Sequence, residues 1–165
     1  MELSQKMQNA INAQIQAELY SAYLYLAMSA YCEDINMPGY AHWMRVQTEE
    51  EMEHAMKFYH YVFERGGRVF LEAIQKPQAE FDSPQDVAAQ VYAHEQHVTD
   101  LIHQLYELAL AEKDYAAQVF LQWYIDEQVE EEDNARTIVE YFEMAAGHPN
   151  AMLMLDRKLG ARQDD

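Results

Sequence analysis

The chain has 165 residues, and its formal net charge is −18 because 29 Asp and Glu residues stand against 11 Lys and Arg residues. This length suits one domain with a substantial core, and we expect residues 1–165 to form it. So negative a chain repels nucleic acid and anionic lipid and attracts cations. The start of the chain has no signal pattern, and no run of 18 apolar residues could cross a bilayer, so a cytoplasmic location is expected. Because Cys32 is the only cysteine, neither a disulfide framework nor a thiolate metal site is expected.

Apolar residues recur with the period of an α-helix along most of the chain, and the five Gly and four Pro fall where this pattern breaks. Ser4 is a good N-cap, and Pro38 and Pro84 suit the first turns of later helices. The pattern predicts four long helices and a short last one, at about 4–33, 38–66, 84–113, 115–147 and 150–159.

The segment 67–83 lacks helical periodicity and contains Pro77, so it is predicted to be one long connection. Short links elsewhere pair the first helix with the second, and the third with the fourth, as antiparallel hairpins. The long connection lets the second and third helices run parallel. The predicted fold is all-α, a four-helix bundle with one long crossover and a short C-terminal helix.

Each long helix carries a carboxylate in the middle of its apolar stripe: Glu18, Glu51, Glu95 and Glu131. All four are expected at about the same height in the bundle, since each lies near the middle of its helix. Lys and Arg are absent from those central turns. Buried carboxylates cost several kcal/mol each unless they are neutralised, so the pattern predicts bound metal.

His54 follows Glu51 by three residues, so both side chains can point to the same side of the second helix. Gln128 precedes Glu131 by the same spacing. A mostly oxygen ligand set with one imidazole suits two Fe²⁺ or Mn²⁺ ions, and the scarcity of cysteine argues against structural zinc. Acidic runs such as 49–51 and 130–132 are often solvated helix faces. That explanation does not extend to Glu18 and Glu95, which are isolated within apolar stripes.

Four segments make the chain similar to bacterial non-haem ferritins over essentially its whole length: residues 18–22, 50–55, 92–96 and 120–128. The resemblance implies a di-iron centre in which Glu51 bridges the two metals. The first iron would be held by residues matching Glu18, Glu51 and His54. The second would be held by residues matching Glu95 and Glu131, with Gln128 close by.

The resemblance also implies a third iron nearby, at acids matching Glu50, Glu127, Glu130 and Glu131. These acids could equally relay cations or face a cavity. Tyr25 and Trp123 match aromatic residues near the iron centre of the family. Tyr25 is a candidate electron donor, because a buried tyrosine needs a hydrogen-bond partner and a metal-binding carboxylate would serve. Core packing explains both aromatic residues equally well.

The family resemblance implies a function for the chain, namely that of an iron-storage subunit. Such a subunit is a ferroxidase that oxidises Fe²⁺ with O₂ or peroxide and deposits ferric mineral inside a hollow shell of 24 copies. Twelve Tyr and ten Met residues agree with extensive subunit contacts, because several of them, including Tyr31, Tyr59 and Met154, lie off the inward stripes. No nucleic acid and no membrane is expected as a partner.

Three alternatives lead to different expectations. A haem-binding bacterioferritin would use Met52, but such proteins repeat Glu-x-x-His on the fourth helix, where this chain has Gln128-Val129-Glu130-Glu131. Haem is therefore not expected. A DNA-protecting miniferritin takes its iron ligands from two subunits and often has basic tails, which this chain lacks. A metal-free structural bundle would leave the central acids without compensation.

Overall fold

The computed structural model describes residues 2–163 and contains five helices. They are α1 (Gln5–Asp34), α2 (Pro38–Glu64), α3 (Pro84–Ala111), α4 (Tyr115–Ala145) and α5 (Pro149–Leu159). Among the described residues there is no strand, so the prediction of an all-α chain with four long helices and a short last one is confirmed. Within that same part of the chain, no helix combines the length and hydrophobicity that a membrane span needs.

The helix ends follow from local chemistry. Ser4, Ser83 and Asp114 each accept a hydrogen bond from the backbone N–H three residues further on, which caps α1, α3 and α4. The links after α1 and α3 turn sharply at Asn36 and Lys113, whose φ angles are 59° and 56°. These tight turns make α1 and α2 one antiparallel hairpin and α3 and α4 another.

The connection between α2 and α3 runs along the outside of α1 without a helix of its own. Asn12 fastens it, because its side-chain amide donates to the carbonyl of Arg68 (3.1 Å) and its side-chain oxygen accepts from the N–H of Phe70 (3.0 Å). Gln16 donates to the carbonyl of Ala73 (2.7 Å) one turn further on. The predicted crossover is therefore confirmed, and polar side chains of α1 hold it in place.

Two apolar clusters fill the bundle, one in each half. The first contains Tyr25, Met44 and Phe142, and the second contains Ile15 and Ile102. In each long helix a stretch that contains the central carboxylate separates the residues of the two clusters along the chain. Those four stretches lie at one height and carry the central carboxylates, so the fold places a polar layer between two apolar cores.

The last helix, α5, packs against the start of α2 and the end of α4. The approach to α2 is so close that a Cβ at Gly39 would lie 1.8 Å from the carbonyl oxygen of Asp156. The carboxylate of Asp156 also accepts a hydrogen bond from the N–H of Tyr40 (2.9 Å). This contact directs the residues after α5 back along α2, towards the polar layer.

Candidate metal centre

Six polar side chains from all four long helices are buried in the central layer. Their exposed fractions lie between 1% and 6%. They are Glu18 from α1, Glu51 and His54 from α2, Glu95 from α3, and Gln128 and Glu131 from α4. The structure thus brings together the six inner residues singled out in the sequence.

Ligand atoms of Glu18, Glu51 and His54 all lie within 4.8 Å of one another. The Oε2 atom of Glu51 is 3.7 Å from Nδ1 of His54 and is buried without a hydrogen-bond partner. A buried carboxylate oxygen without a donor is costly. A cation bound beside this oxygen would supply the missing partner.

Burial is the main cause of the raised pKa values of carboxyl groups in the layer. Loss of hydration raises the pKa of Glu95 to about 7 and that of Glu131 to about 8. The pKa of Glu51 lies well above its ordinary value, first through burial and then through the negative charges of Glu95 and Glu18. Bound metal would reverse this balance, because a divalent charge at this distance favours the ionised form of every carboxylate.

Two glutamines orient carboxylates of the layer, and neither was identified from the sequence. Gln14 donates to Oε1 of Glu18 (2.8 Å) and Gln47 donates to Oε2 of Glu131 (2.7 Å). The sequence held a signal for the first, since Gln14 lies four residues before Glu18 on the same helix face. The second bond joins residues 84 positions apart, so only the fold reveals it.

Glu95 is held by two donors. The phenolic O–H of Tyr25 donates to Oε1, and the amide of Gln128 donates to Oε2 (3.2 Å). Burial is the first cause that raises the pKa of Tyr25 well above its ordinary value, so Tyr25 is a neutral donor. Tyr25 thus has the carboxylate partner that a buried tyrosine was expected to need. Its role as an electron donor stays a prediction.

His54 is enclosed by aromatic side chains on the outer side of the layer. Its ring meets that of Trp123 edge to face at a centroid distance of 5.4 Å. The hydroxyl of Tyr124 donates to the backbone carbonyl of His54 (2.8 Å). Lys57 places its ammonium 3.2 Å from the centre of the Trp123 ring. The aromatic residue matched to the family therefore contacts the imidazole and a lysine at once.

A cleft of about 510 Å³ opens beside the layer, between α2 and α4. His54 lies at its inner end, where ligand atoms of His54, Glu127 and Glu131 come within 4.8 Å of one another. Six acids and two basic residues share its wall. They are Glu49, Glu50, Glu53, Glu127, Glu130 and Glu131, with Lys57 and Arg162.

The acids expected at a third iron are therefore only partly gathered. Glu127 and Glu131 approach His54, and Glu130 is exposed. Glu50 instead accepts a hydrogen bond from the guanidinium of Arg162 (2.5 Å). No sequence pattern indicated Arg162, which is distant in the chain and reaches this cleft from the segment after α5.

Comparisons with known proteins agree with this geometry. Residues 8–145 match the family model described as a ferritin-like domain. Curated bacterial non-heme ferritins from Bacteroides fragilis and Staphylococcus aureus are 42% and 36% identical, over 97% and 99% of this chain and 99% and 98% of their own.

Among solved structures, an open pore ferritin from the hyperthermophilic archaeon Archaeoglobus fulgidus is 51% identical with a TM-score of 0.97, and 98% of each chain is covered. A form of the same ferritin engineered to be closed has a TM-score of 0.98 at 50% identity, over 99% of this chain and 100% of that one. The resemblance to non-haem ferritins seen in the sequence is confirmed: the chain belongs to the ferritin family.

Proposed function

We propose that this chain is an iron-storage subunit that oxidises Fe²⁺ to Fe³⁺ in its central carboxylate layer. The observation that carries the proposal is the buried, unpartnered Oε2 atom of Glu51, next to Glu18 and His54 and between two apolar cores. Hard, anionic oxygen ligands stabilise the higher charge of Fe³⁺ more than that of Fe²⁺. Fe²⁺ bound there is therefore oxidised to Fe³⁺ more readily than Fe²⁺ in water.

In the proposed site the first Fe²⁺ is bound by Glu18, Glu51 and His54. The second is bound by Glu95 and Glu131, and Glu51 bridges the two. Gln128 lies beside the second position and adds no charge, which leaves the layer less negative than a further acid would. Each iron gives up one electron to O₂ or peroxide, and the ferric product moves on to the storage cavity.

We further propose that Tyr25 supplies an electron when the metals provide too few to reduce the oxidant fully. Oxidation of a phenol by one electron releases its proton. Oxygen Oε1 of Glu95 already accepts the Tyr25 hydrogen bond and can take that proton.

A third iron position is proposed in the cleft, at Glu50, Glu127, Glu130 and Glu131. It would receive ions in transit between the paired site and the cavity. Support comes from the mixed exposure of these side chains, since Glu131 is buried, Glu50 and Glu127 are half-buried and Glu130 is exposed. Such a gradient suits a route along which an ion exchanges water for carboxylates in steps.

The storage role requires a closed assembly, for which we propose a shell of 24 copies and a cytoplasmic location. Large apolar side chains at the α4 and α5 end support subunit contacts, since Met144, Leu153 and Met154 are 78%, 62% and 72% exposed. Light scattering at neutral pH should report a particle near the mass of 24 subunits of 19.3 kDa. A monomer or dimer that still oxidises iron would preserve the ferroxidase role and refute storage in a shell.

The central experiment is addition of Fe²⁺ under anaerobic conditions followed by exposure to air. Two ions per subunit should bind tightly and then be oxidised in a rapid phase, and crystals soaked in Fe²⁺ should show metal between Glu18, Glu51 and Glu95. Iron confined to the outer surface, with these side chains unligated, would refute the proposal. An absorption spectrum of the purified protein tests the haem alternative. In that alternative the haem ligand would be Met52, which is 43% exposed on α2.

A further inference from the structure

Arg162 follows α5 and makes contacts on both sides of its guanidinium group. One nitrogen donates to Oε1 of Gln47 (2.6 Å) and the other to Oε2 of Glu50 (2.5 Å). The group also lies 4.7 Å from the ring centre of Trp43. The side chain is half-buried, and the three contacts hold it in one orientation.

The backbone on either side of Arg162 is also held in position by contacts with α2. The close contact of α5 with Gly39 and the hydrogen bond from Tyr40 to Asp156 set the direction in which the chain leaves the helix. The carbonyl of Arg162 then lies 2.9 Å from Nε2 of His42. The C-terminal arm, residues 160–163, is thereby fixed along α2.

The contact with Gln47 connects the arm to the metal layer. Gln47 is fully buried, and while its oxygen accepts from Arg162 its nitrogen donates to Oε2 of Glu131 (2.7 Å). A continuous chain of hydrogen bonds therefore runs from the arm to a carboxylate of the layer. Glu50 and Glu131, which Arg162 reaches directly and through Gln47, are both among the acids of the cleft.

We propose that Arg162 is a positioning residue that acts as the resident cation of the cleft, and that a divalent cation binding at Glu50 and Glu131 must displace it. The inference rests on the proposed function and adds a control on metal occupancy. The guanidinium and a metal ion compete for Oε2 of Glu50 and repel each other near Glu131, so each weakens the binding of the other. Arg162 thus keeps metal binding in the cleft weak and favours onward passage of ions.

The competition acts mainly on the cleft, because Arg162 bonds Glu50 directly and reaches Glu131, the acid shared with the paired site, only through Gln47. Glu18, Glu51 and His54 form their ligand group without a contact from Arg162 among the described interactions. An arginine is suited to this task because its planar fork can bond Gln47 and Glu50 together, whereas a lysine offers a single point of charge.

Calorimetric titration with Zn²⁺, which is not oxidised, tests the inference on the intact assembly. Arg162→Gln should strengthen the weaker, third binding event about tenfold or more and change the two tight events by a much smaller factor. Arg157→Gln is the matched control, since Arg157 is exposed on α5 and does not line the cleft; it removes the same charge and should leave all three events as in the wild type. Arg162→Lys should fall between the wild type and Arg162→Gln.

The inference would be overturned if Arg162→Gln bound the third Zn²⁺ no more tightly than the wild type does. It would also be overturned if Arg157→Gln gained as much affinity as Arg162→Gln. The absence of tight binding in the wild type would instead refute the proposed ferroxidase site. Competition by Arg162 is measured by the difference in affinity of the third event between the wild type and Arg162→Gln.

A measurement on the unaltered protein separates competition from a purely structural role of the arm. Because coupling is reciprocal, the third equivalent of Zn²⁺ should increase hydrogen exchange in residues 155–163, and the first two should not. Unchanged protection of the arm at saturating Zn²⁺ would contradict displacement of Arg162 even if the substitution altered folding.

Discussion

The central layer and the adjacent cleft are both acidic, but their acids behave differently. In the layer, Glu18, Glu51 and Glu95 are each 1% exposed, and their neighbours are other acids or neutral donors. In the cleft the acids are hydrated in part, and Lys57 and Arg162 lie among them. Without hydration the ionised form of the layer's carboxylates is costly, so their pKa values rise, whereas the partly hydrated acids of the cleft, with cations among them, can attract and release ions. Glutamate is therefore proposed as a metal ligand in the layer and as a guide for passing ions in the cleft.

The largest expected effect is on the layer. Glu95→Ala or His54→Ala removes one ligand and should slow the rapid oxidation of Fe²⁺ by an order of magnitude or more. The fold should persist in both variants, and in Glu95→Ala the loss of a buried acid also relieves repulsion in the metal-free protein. Glu49→Gln, at an exposed position of the cleft, is a control that should oxidise iron nearly as fast as the wild type. Stopped-flow absorbance under air measures the rates, and wild-type rates in both layer variants would contradict the assignment.

The second prediction concerns pH. The pKa of Glu95 is raised to about 7 and that of Glu131 to about 8, so the folded state binds protons that the unfolded state has released. Their favourable contribution is complete below about pH 4 and is lost as pH rises to about 8. The free energy of unfolding of the metal-free protein should thus fall by a few kcal/mol between pH 5 and pH 8, since each group contributes up to about 1.4 kcal/mol per pH unit.

Denaturant unfolding at several pH values after chelation measures this slope. Glu131→Gln should flatten it, and Glu130→Gln, at an exposed neighbouring position, should not. Saturating Zn²⁺ should reverse the trend, because metal binds the ionised carboxylates and gains affinity as pH rises. A metal-free protein that becomes more stable from pH 5 to pH 8 would contradict the proposed energetics of the layer.

A smaller effect is expected from Tyr25→Phe, which removes the donor to Glu95 and preserves the ring. Oxidation of the first two Fe²⁺ ions should slow only a few-fold, and a tyrosyl radical signal present in the wild type should disappear from electron paramagnetic resonance spectra. Tyr40→Phe is the control, since Tyr40 is equally buried in the same apolar cluster but its hydroxyl has no hydrogen-bond partner among the described residues. An unchanged radical signal in Tyr25→Phe would show that Tyr25 serves packing alone.

The smallest effect on the first turnover is expected from the cleft. Glu127→Gln should leave oxidation of the first two ions per subunit unchanged and slow later additions a few-fold, because it weakens the passage of iron beyond the paired site. Repeated additions of Fe²⁺, each followed to completion, measure this difference. A loss as large as that of His54→Ala in the first addition would mean that Glu127 is a ligand of the paired site.

The sequence alone predicted the helices and the polar layer, because both depend on local spacing. An isolated acid in an apolar stripe, as at Glu18 and Glu95, is informative without tertiary structure since burial makes its charge costly. The spacing of His54 from Glu51 adds an imidazole on the same helix face. These signals, with the length of the crossover, predicted a four-helix bundle whose central acids converge. The structure confirms the bundle and shows that those acids are buried.

Tertiary structure alone decided which groups support and balance the layer. Gln47 bonds Glu131 from another helix, and Arg162 reaches Glu50 across 112 positions of the chain. No periodic pattern connects residues so far apart, because their meeting depends on how α5 docks against Gly39 and Tyr40. Local chemistry in the sequence thus determined where charge is buried, and the packing of distant helices determined which counter-charge reaches it.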